Sequence, residues 1–326
     1  MRRREFITSL GAMSIHAPSA LAQSAGRSYR IGVLGPGRVY NFNVGFPALL
    51  DELRKAGFVD GRNLKVDVRH ISADPQSTFE DARMIAAIGV DLFITLSQEF
   101  TVRAALAASA SAPIVAQSTH FDIVEKGFAE SLARPGGRVT GLHLLMDRLA
   151  EKQLEIVSEI LPEHAPLSVL YDTFTDDQHS VVQRLAPGRG LRLISHRLDK
   201  PPYDWSSAFA DLEAKGARKL LVLSSPFFTA HAQTISGMAI RAGLPTMFIF
   251  PLYVDAGGLM SYGVDIVAIY RRVGQYAARV LAGTPPADLP IEQPREFRLK
   301  LNLKTAKALG LELPTSILVR ADEVIE

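Results

Sequence analysis

Asp91-Leu92-Phe93-Ile94-Thr95-Leu96 is the segment on which the fold turns. Six residues with a single leading acid and an otherwise nearly unbroken apolar run suit a strand buried on both faces, as in a parallel sheet covered by helices. The run is followed by Ser97-Gln98-Glu99, a polar break, and then by an Ala-rich helical stretch after Thr101. The same grammar extends in both directions. Upstream come a strand at 30–35, a helix near 45–56 ended by Gly57, a strand at 64–70 and a helix near 77–88 ended by Gly89. Downstream come strands at 113–117 and 138–143. Alternation of this kind builds an α/β layer.

A second series starts after Asp147, read as an N-cap, with Ala150, Leu154, Val157 and Leu161 on one helical face before Pro162. Strands at 167–171, 191–197, 218–223 and 246–250 then alternate with helices near 178–186, 205–215 and 229–242. Two such series predict two Rossmann-like lobes. The chain then offers a strand at 259–262 and a long helix from an Asp265 cap to Gly283. In the closing strand Phe297, Leu299 and Leu301 alternate with Arg298, Lys300 and Asn302, so one face should be wet. A strand added this late implies a chain that returns to a lobe already built, with several crossings and a cleft between the lobes.

Composition narrows the function. The 326 residues suffice for two domains, and 47% apolar against 21% charged residues excludes a disordered chain. Lys and Arg number 36 against 34 Asp and Glu. The first 22 residues take three Arg and one Glu of these, leaving 33 of each sign in the body. A neutral body gives no footprint for nucleic acid. With no cysteine there are no disulfides, thiol nucleophiles or cysteine-held metal centres. No apolar stretch reaches the ~18 residues of a membrane span; the run from Met84 to Leu96 is broken by Asp91.

The start reads as an export signal. Arg2-Arg3-Arg4 precedes Glu5-Phe6-Ile7 and a modestly apolar stretch to Ile15, and Ala20-Leu21-Ala22 forms a small-x-small cleavage pattern. Arg3-Arg4-Glu5-Phe6-Ile7 is similar to the twin-arginine motif, with general secretion as the other route. Cleavage after Ala22 and a periplasmic address are expected.

Catalytic patterns are missing. Gly35-Pro36-Gly37-Arg38-Val39-Tyr40 only approaches a dinucleotide turn, and phosphate-loop, nucleophile-elbow and His-Glu-x-x-His patterns do not occur. No two of the eight histidines fall at i, i+4, and His143, between Leu142 and Leu144, reads as a satisfied strand residue. Neither cofactor nor metal is expected.

Open α/β sheets bind ligands beyond the carboxyl ends of their strands. Those ends carry Tyr40 and Asn41 after the first strand, Ser97, Gln98 and Glu99 after the third, and Ser118, His120, Phe121 and Asp122 after the fourth. The second lobe contributes Asp172 and Thr173, then Ser224, Ser225 and Phe227, then Tyr253. For an amino-acid solute, Asp122, Glu99 and Asp172 are the candidate acceptors for the cation, and Ser97, Ser118 and Ser224 the donors to its carboxylate. Phe121, Phe227 and Tyr253 would wall an apolar group.

Four blocks in order carry a family likeness. Ala129 to Gly141, with Ser131-Leu132-Ala133-Arg134-Pro135-Gly136-Gly137-Arg138-Val139-Thr140-Gly141 at its heart, resembles a segment of the ABC-transporter substrate-binding proteins that include tryptophan- and aromatic-amino-acid binders. Gly257-Gly258-Leu259-Met260-Ser261-Tyr262-Gly263, Pro286 to Pro294 with Asn302 to Gly310, and Arg320 to Ile325 resemble further blocks of that family. The resemblance implies a type I periplasmic-binding-protein fold: two α/β lobes, three hinge strands and one small ligand in the cleft, handed by a monomeric protein to a membrane permease. It implies a signal at 1–22, an N-terminal lobe of 28–143 plus 258–287, and a C-terminal lobe of 144–257 plus 288–326. A sensing module of a receptor complex and a nucleotide-dependent Rossmann enzyme are the alternative readings.

Overall fold

The computed structural model describes residues 27–36, 40–71, 74–119, 121–144, 146–160 and 165–326. The expected signal at 1–22 and His120 lie outside these residues, as do the side chains of Tyr40 and Asn41.

The first layer runs β1 (Tyr29–Pro36), α1 (Tyr40–Lys55), β2 (Leu64–Ile71), α2 (Pro75–Ala87), β3 (Leu92–Ser97), α3 (Glu99–Ala108), β4 (Ile114–Ser118) and β5 (Val139–His143). Its five strands are all parallel, in the order β2-β1-β3-β4-β5. β3 is buried from Leu92 to Leu96, as its apolar run requires. The second layer runs α4 (Met146–Ile160), β6 (Leu167–Asp172), α5 (Asp176–Leu185), β7 (Leu193–Leu198), α6 (Trp205–Ala214), β8 (Leu220–Val222), α7 (Pro226–Thr229), α8 (Ala232–Arg241), β9 (Thr246–Phe248), α9 (Leu252–Asp255) and β10 (Met260–Gly263). Beyond it follow α10 (Ile266–Leu281), β11 (Arg298–Asn302), α11 (Leu303–Ala308), α12 (Thr315–Arg320) and β12 (Glu323–Ile325). The second sheet has the order β12-β11-β10-β9-β8-β6-β7, parallel except where β10 meets β11. These are two α/β lobes, each with its own sheet.

The segment 258–287 divides between the lobes. β10 pairs with β9 and β11 in the second sheet, whereas α10, capped by Asp265 through the N–H groups of Val267 and Ala268, packs on α1 and the first sheet. Gly274 permits that close approach, since a Cβ there would press on the Leu49 backbone. The chain therefore crosses between lobes after β5, after β10 and before β11. At the last crossing Glu292 lies along the free edge of β5: the His143 N–H donates to the Glu292 carbonyl at 2.8 Å, and the Glu292 N–H to Gly141 at 2.9 Å.

Two expectations change. Asp147 stands inside α4, which starts at Met146, so it is not the N-cap. The closing strand has no wet face over 299–302: β12 pairs along its outer edge, and Lys300 is buried with its ammonium at 2.6 Å from Asp255 and 2.5 Å from Glu323. Two carboxylates compensate the buried charge, which the alternation of residue types does not disclose.

Candidate functional site

The turn after β3 meets the turn after β6 across the space between the lobes, where the Gln98 amide reaches the Phe174 carbonyl. A cavity of about 670 Å3 opens on one flank, lined from the first lobe by Thr119, Phe121, Asp122 and His143 and from the second by Gln178 and Arg184 of α5. A larger groove of about 1150 Å3 lies beside the crossing segments, along α10 and residues 290–298. Of the carboxyl ends of β3, β4, β5, β6, β8 and β9 it receives only Leu142 of β5, whereas the smaller cavity takes Thr119 after β4, His143 at the end of β5 and Gln178 of the second lobe, so the interlobe cavity is the candidate site.

On the first-lobe wall, β3 ends in Ser97, whose φ of +79° makes it the one non-glycine residue in the left-handed region among the described residues. That turn places Gln98 at the N-cap of α3, where its side chain makes no capping bond and is 7% exposed. The Gln98 amide lies 3.5 Å from the Phe174 carbonyl oxygen of the opposite lobe, to which it donates. Glu99 turns away, paired with Arg103 at 2.5 Å and Lys126 at 3.5 Å. Ser118 is fully buried, its Oγ 2.9 Å from His143 Nδ1. The other ring nitrogen of His143 stands 3.8 Å from Asp122 Oδ2. A serine, a histidine and an aspartate thus line up, but a serine hydroxyl sealed from the cavity has no access to a substrate carbonyl. Asp122 is half exposed; its Oδ1 accepts from the Val124 and Glu125 N–H groups, and Oδ2 remains on the cavity side. Phe121 is buried edge-on against Phe128.

The second-lobe wall is braced around Asp172, which is fully buried at the end of β6. Its Oδ1 accepts from the Phe174 N–H at 3.0 Å and the Thr175 hydroxyl at 3.1 Å, closing a capping box over the 3-10 turn Thr173–Thr175. Its Oδ2 accepts from the Tyr203 hydroxyl at 2.8 Å and from Ser225. Burial pushes the Asp172 carboxyl upward in pKa, against the opposing pull of the Ser225, Tyr203 and Thr175 hydroxyls. Four donors already hold this carboxylate, so the structure gives it to the wall rather than to a solute cation. The Ser224 hydroxyl and N–H both donate to Gln178 Oε1, at 2.9 and 3.0 Å. Phe227 lies 4.9 Å from Phe174, centroid to centroid, while Thr173 is exposed. Tyr253 is buried flat against Phe248 at 4.3 Å.

Of the residues expected from the strand ends, Phe121 and Asp122 line the cavity, whereas Ser97, Gln98, Ser118, Asp172, Ser224, Ser225, Phe227 and Tyr253 do not line it. Glu99 and Thr173 are occupied with or open to solvent. Phe174 belongs to the polar segment that follows β6, but Gln178 and Tyr203 lie outside the reach of strand-end reasoning: Gln178 sits on α5, and Tyr203 comes from the loop after β7 and carries no local signal.

Similar proteins share this architecture. A tyrosine-binding protein of Clostridioides difficile is 26% identical over 264 residues, which span 80% of this chain and 74% of that protein. A conserved domain protein from Vibrio cholerae superposes with a TM-score of 0.82 at 24% identity, over 91% of this chain and all of that one. A Streptococcus pneumoniae domain solved with L-Trp gives 0.78 at 22% identity with the same coverage. The model of the ABC transporter substrate-binding protein family matches residues 43–325, and the chain belongs to that family.

Proposed function

We propose that the protein is the periplasmic component of an ABC importer, which closes its lobes around one amino acid or small aromatic carboxylate and presents it to an inner-membrane permease. The observation that carries this reading is the interlobe cavity of about 670 Å3, a size suited to a small molecule, with charges of both signs on its walls. Asp122 supplies a half-exposed carboxylate; Lys126, Arg148 and Arg184 supply the opposite sign. Such a pair of walls suits a zwitterion. Phe121 and the His143 ring line the cavity on the first lobe, and the tyrosine-binding relative makes tyrosine the first solute to try.

A thermal-shift screen over amino acids, aromatic acids and other small carboxylates, with NAD(H) included, tests the reading. A solute that binds only the folded state adds about 2.7 kcal/mol at 100 times its dissociation constant. A shift with NAD(H) alone would favour the nucleotide-dependent alternative. Asp122→Asn retains the Oδ1 acceptor of the turn while removing the charge. Loss of a charge-assisted hydrogen bond then weakens binding of the solute found by roughly 10- to 150-fold in titration calorimetry. An unchanged dissociation constant would leave Asp122 as a turn cap only. Export follows from the arginine start; mass analysis of the periplasmic protein finds Gln23 at its amino terminus if cleavage falls after Ala22.

A further inference from the structure

Gln98 is a polar side chain, almost wholly buried at the N-cap of α3, and its amide makes no capping bond to that helix. Its amide instead reaches Ser97 Oγ at 3.4 Å and, 76 residues away in the other lobe, the Phe174 carbonyl at 3.5 Å. Both ends of this contact are held. On the donor side, the left-handed turn at Ser97, strained for a residue with a Cβ, fixes where Gln98 leaves the strand. On the acceptor side, the Phe174 carbonyl belongs to the 3-10 turn that the Asp172 capping box locks, and Asp172 is itself tied to Tyr203 and Ser225. One apolar core also joins Ile94 and Leu96 of the first sheet to Phe228, Phe248 and Phe250 of the second lobe. The lobes therefore meet through a shared core and a directed polar contact.

We infer that Gln98 is a latch: its amide, docked on the Phe174 carbonyl, holds part of the population closed before any solute arrives. A solute then selects a state the protein already visits, and the strength of the latch sets how much of its binding affinity is spent on closure. The latch depends on two lobes that hinge and not on which solute they enclose, so its test needs no solute.

The chain lacks cysteine, which makes Glu80→Cys on α2 and Glu213→Cys on α6 unique, exposed spin-label sites, one per lobe. Protein stripped of solute by unfolding and refolding gives, in double electron–electron resonance, a distance distribution with closed and open components. Gln98→Ala lowers the closed-to-open ratio about fivefold, the scale of one neutral hydrogen bond. Gln98→Glu, which keeps the shape but turns a charged acceptor toward the carbonyl, lowers it at least as far and provides the reading if the alanine variant folds poorly. A wild-type distribution without a closed component, or a ratio unchanged in Gln98→Glu, overturns the latch. A solute screen that finds no binder would count against the importer reading and leave this result standing.

Discussion

The two walls of the cleft are built in opposite ways. The second-lobe wall converges on one buried carboxylate, Asp172, which joins the ends of β6 and β8 and the loop after β7 through Thr175, Ser225 and Tyr203. The first-lobe wall has no such hub: Ser97 is strained, Asp122 is half exposed, and Glu99 faces surface cations. A braced wall fixes shape before binding, which lowers the ordering cost a ligand must meet, whereas a loosely tied wall can follow the ligand. On the proposed function, the contrast would give shape selection to the second lobe and adjustment to the first.

Removing the hub should have the largest effect. Asp172→Ala leaves the Tyr203 and Ser225 hydroxyls and the Phe174 N–H buried without their acceptor, so urea unfolding should show a loss of about 2–4 kcal/mol. A loss below 0.5 kcal/mol would show that the second wall is no more braced than the first.

Acid sharpens the comparison. The folded-state pKa of Asp172 is raised by burial, so this group favours folding below its unfolded value and loses that advantage as pH rises through the folded value. Glu292, along the edge of β5, is lowered chiefly by its hydrogen bonds to Arg272 at 2.5 and 2.6 Å, so its contribution is present above the unfolded value and lost as pH falls. In urea midpoints measured across the carboxylate range, Glu292→Gln should flatten the loss of stability on acidification. Asp172→Asn should steepen the rise of stability with pH. Slopes that change in the same direction would contradict the assignment.

The smallest effect is expected at Ser97. Glycine there removes the left-handed strain but adds chain entropy to the unfolded state, so Ser97→Gly should stabilise the protein by about 0.5–1 kcal/mol in urea unfolding. Destabilisation would mean that the serine side chain holds the turn.

The sequence disclosed the fold more fully than the site because the two depend on different kinds of information. β3 and β6 are buried along their length and read as apolar runs, and the Asp265 cap of α10 is a local pattern that the structure realises. β11 departs from its alternating pattern, since whether Lys300 is wet depends on β12, more than twenty residues later, and on Asp255. The hub failed to show for the same reason. Asp172 looks like any loop acid until Tyr203 and Ser225 are brought to it, and only then does it cease to be free for a ligand. Gln98, singled out by position alone, acquires its distinct role from a carbonyl in the other lobe.

The docking of α10 on α1 has a consequence for the order in which the molecule can be made. Leu49 and Leu53 of α1 are fully buried in the core that α10 completes with Val273 and Ala277. During synthesis at about 5–20 residues per second, the helix at 266–281 emerges only after every strand through β10 has been made. The first lobe therefore waits, with an uncovered apolar helix face, until the second has been synthesised. A chain stopped after β10 would contain the whole first sheet and still lack the means to cover it, so neither lobe can be cut from the gene as one uninterrupted segment and be expected to stand alone.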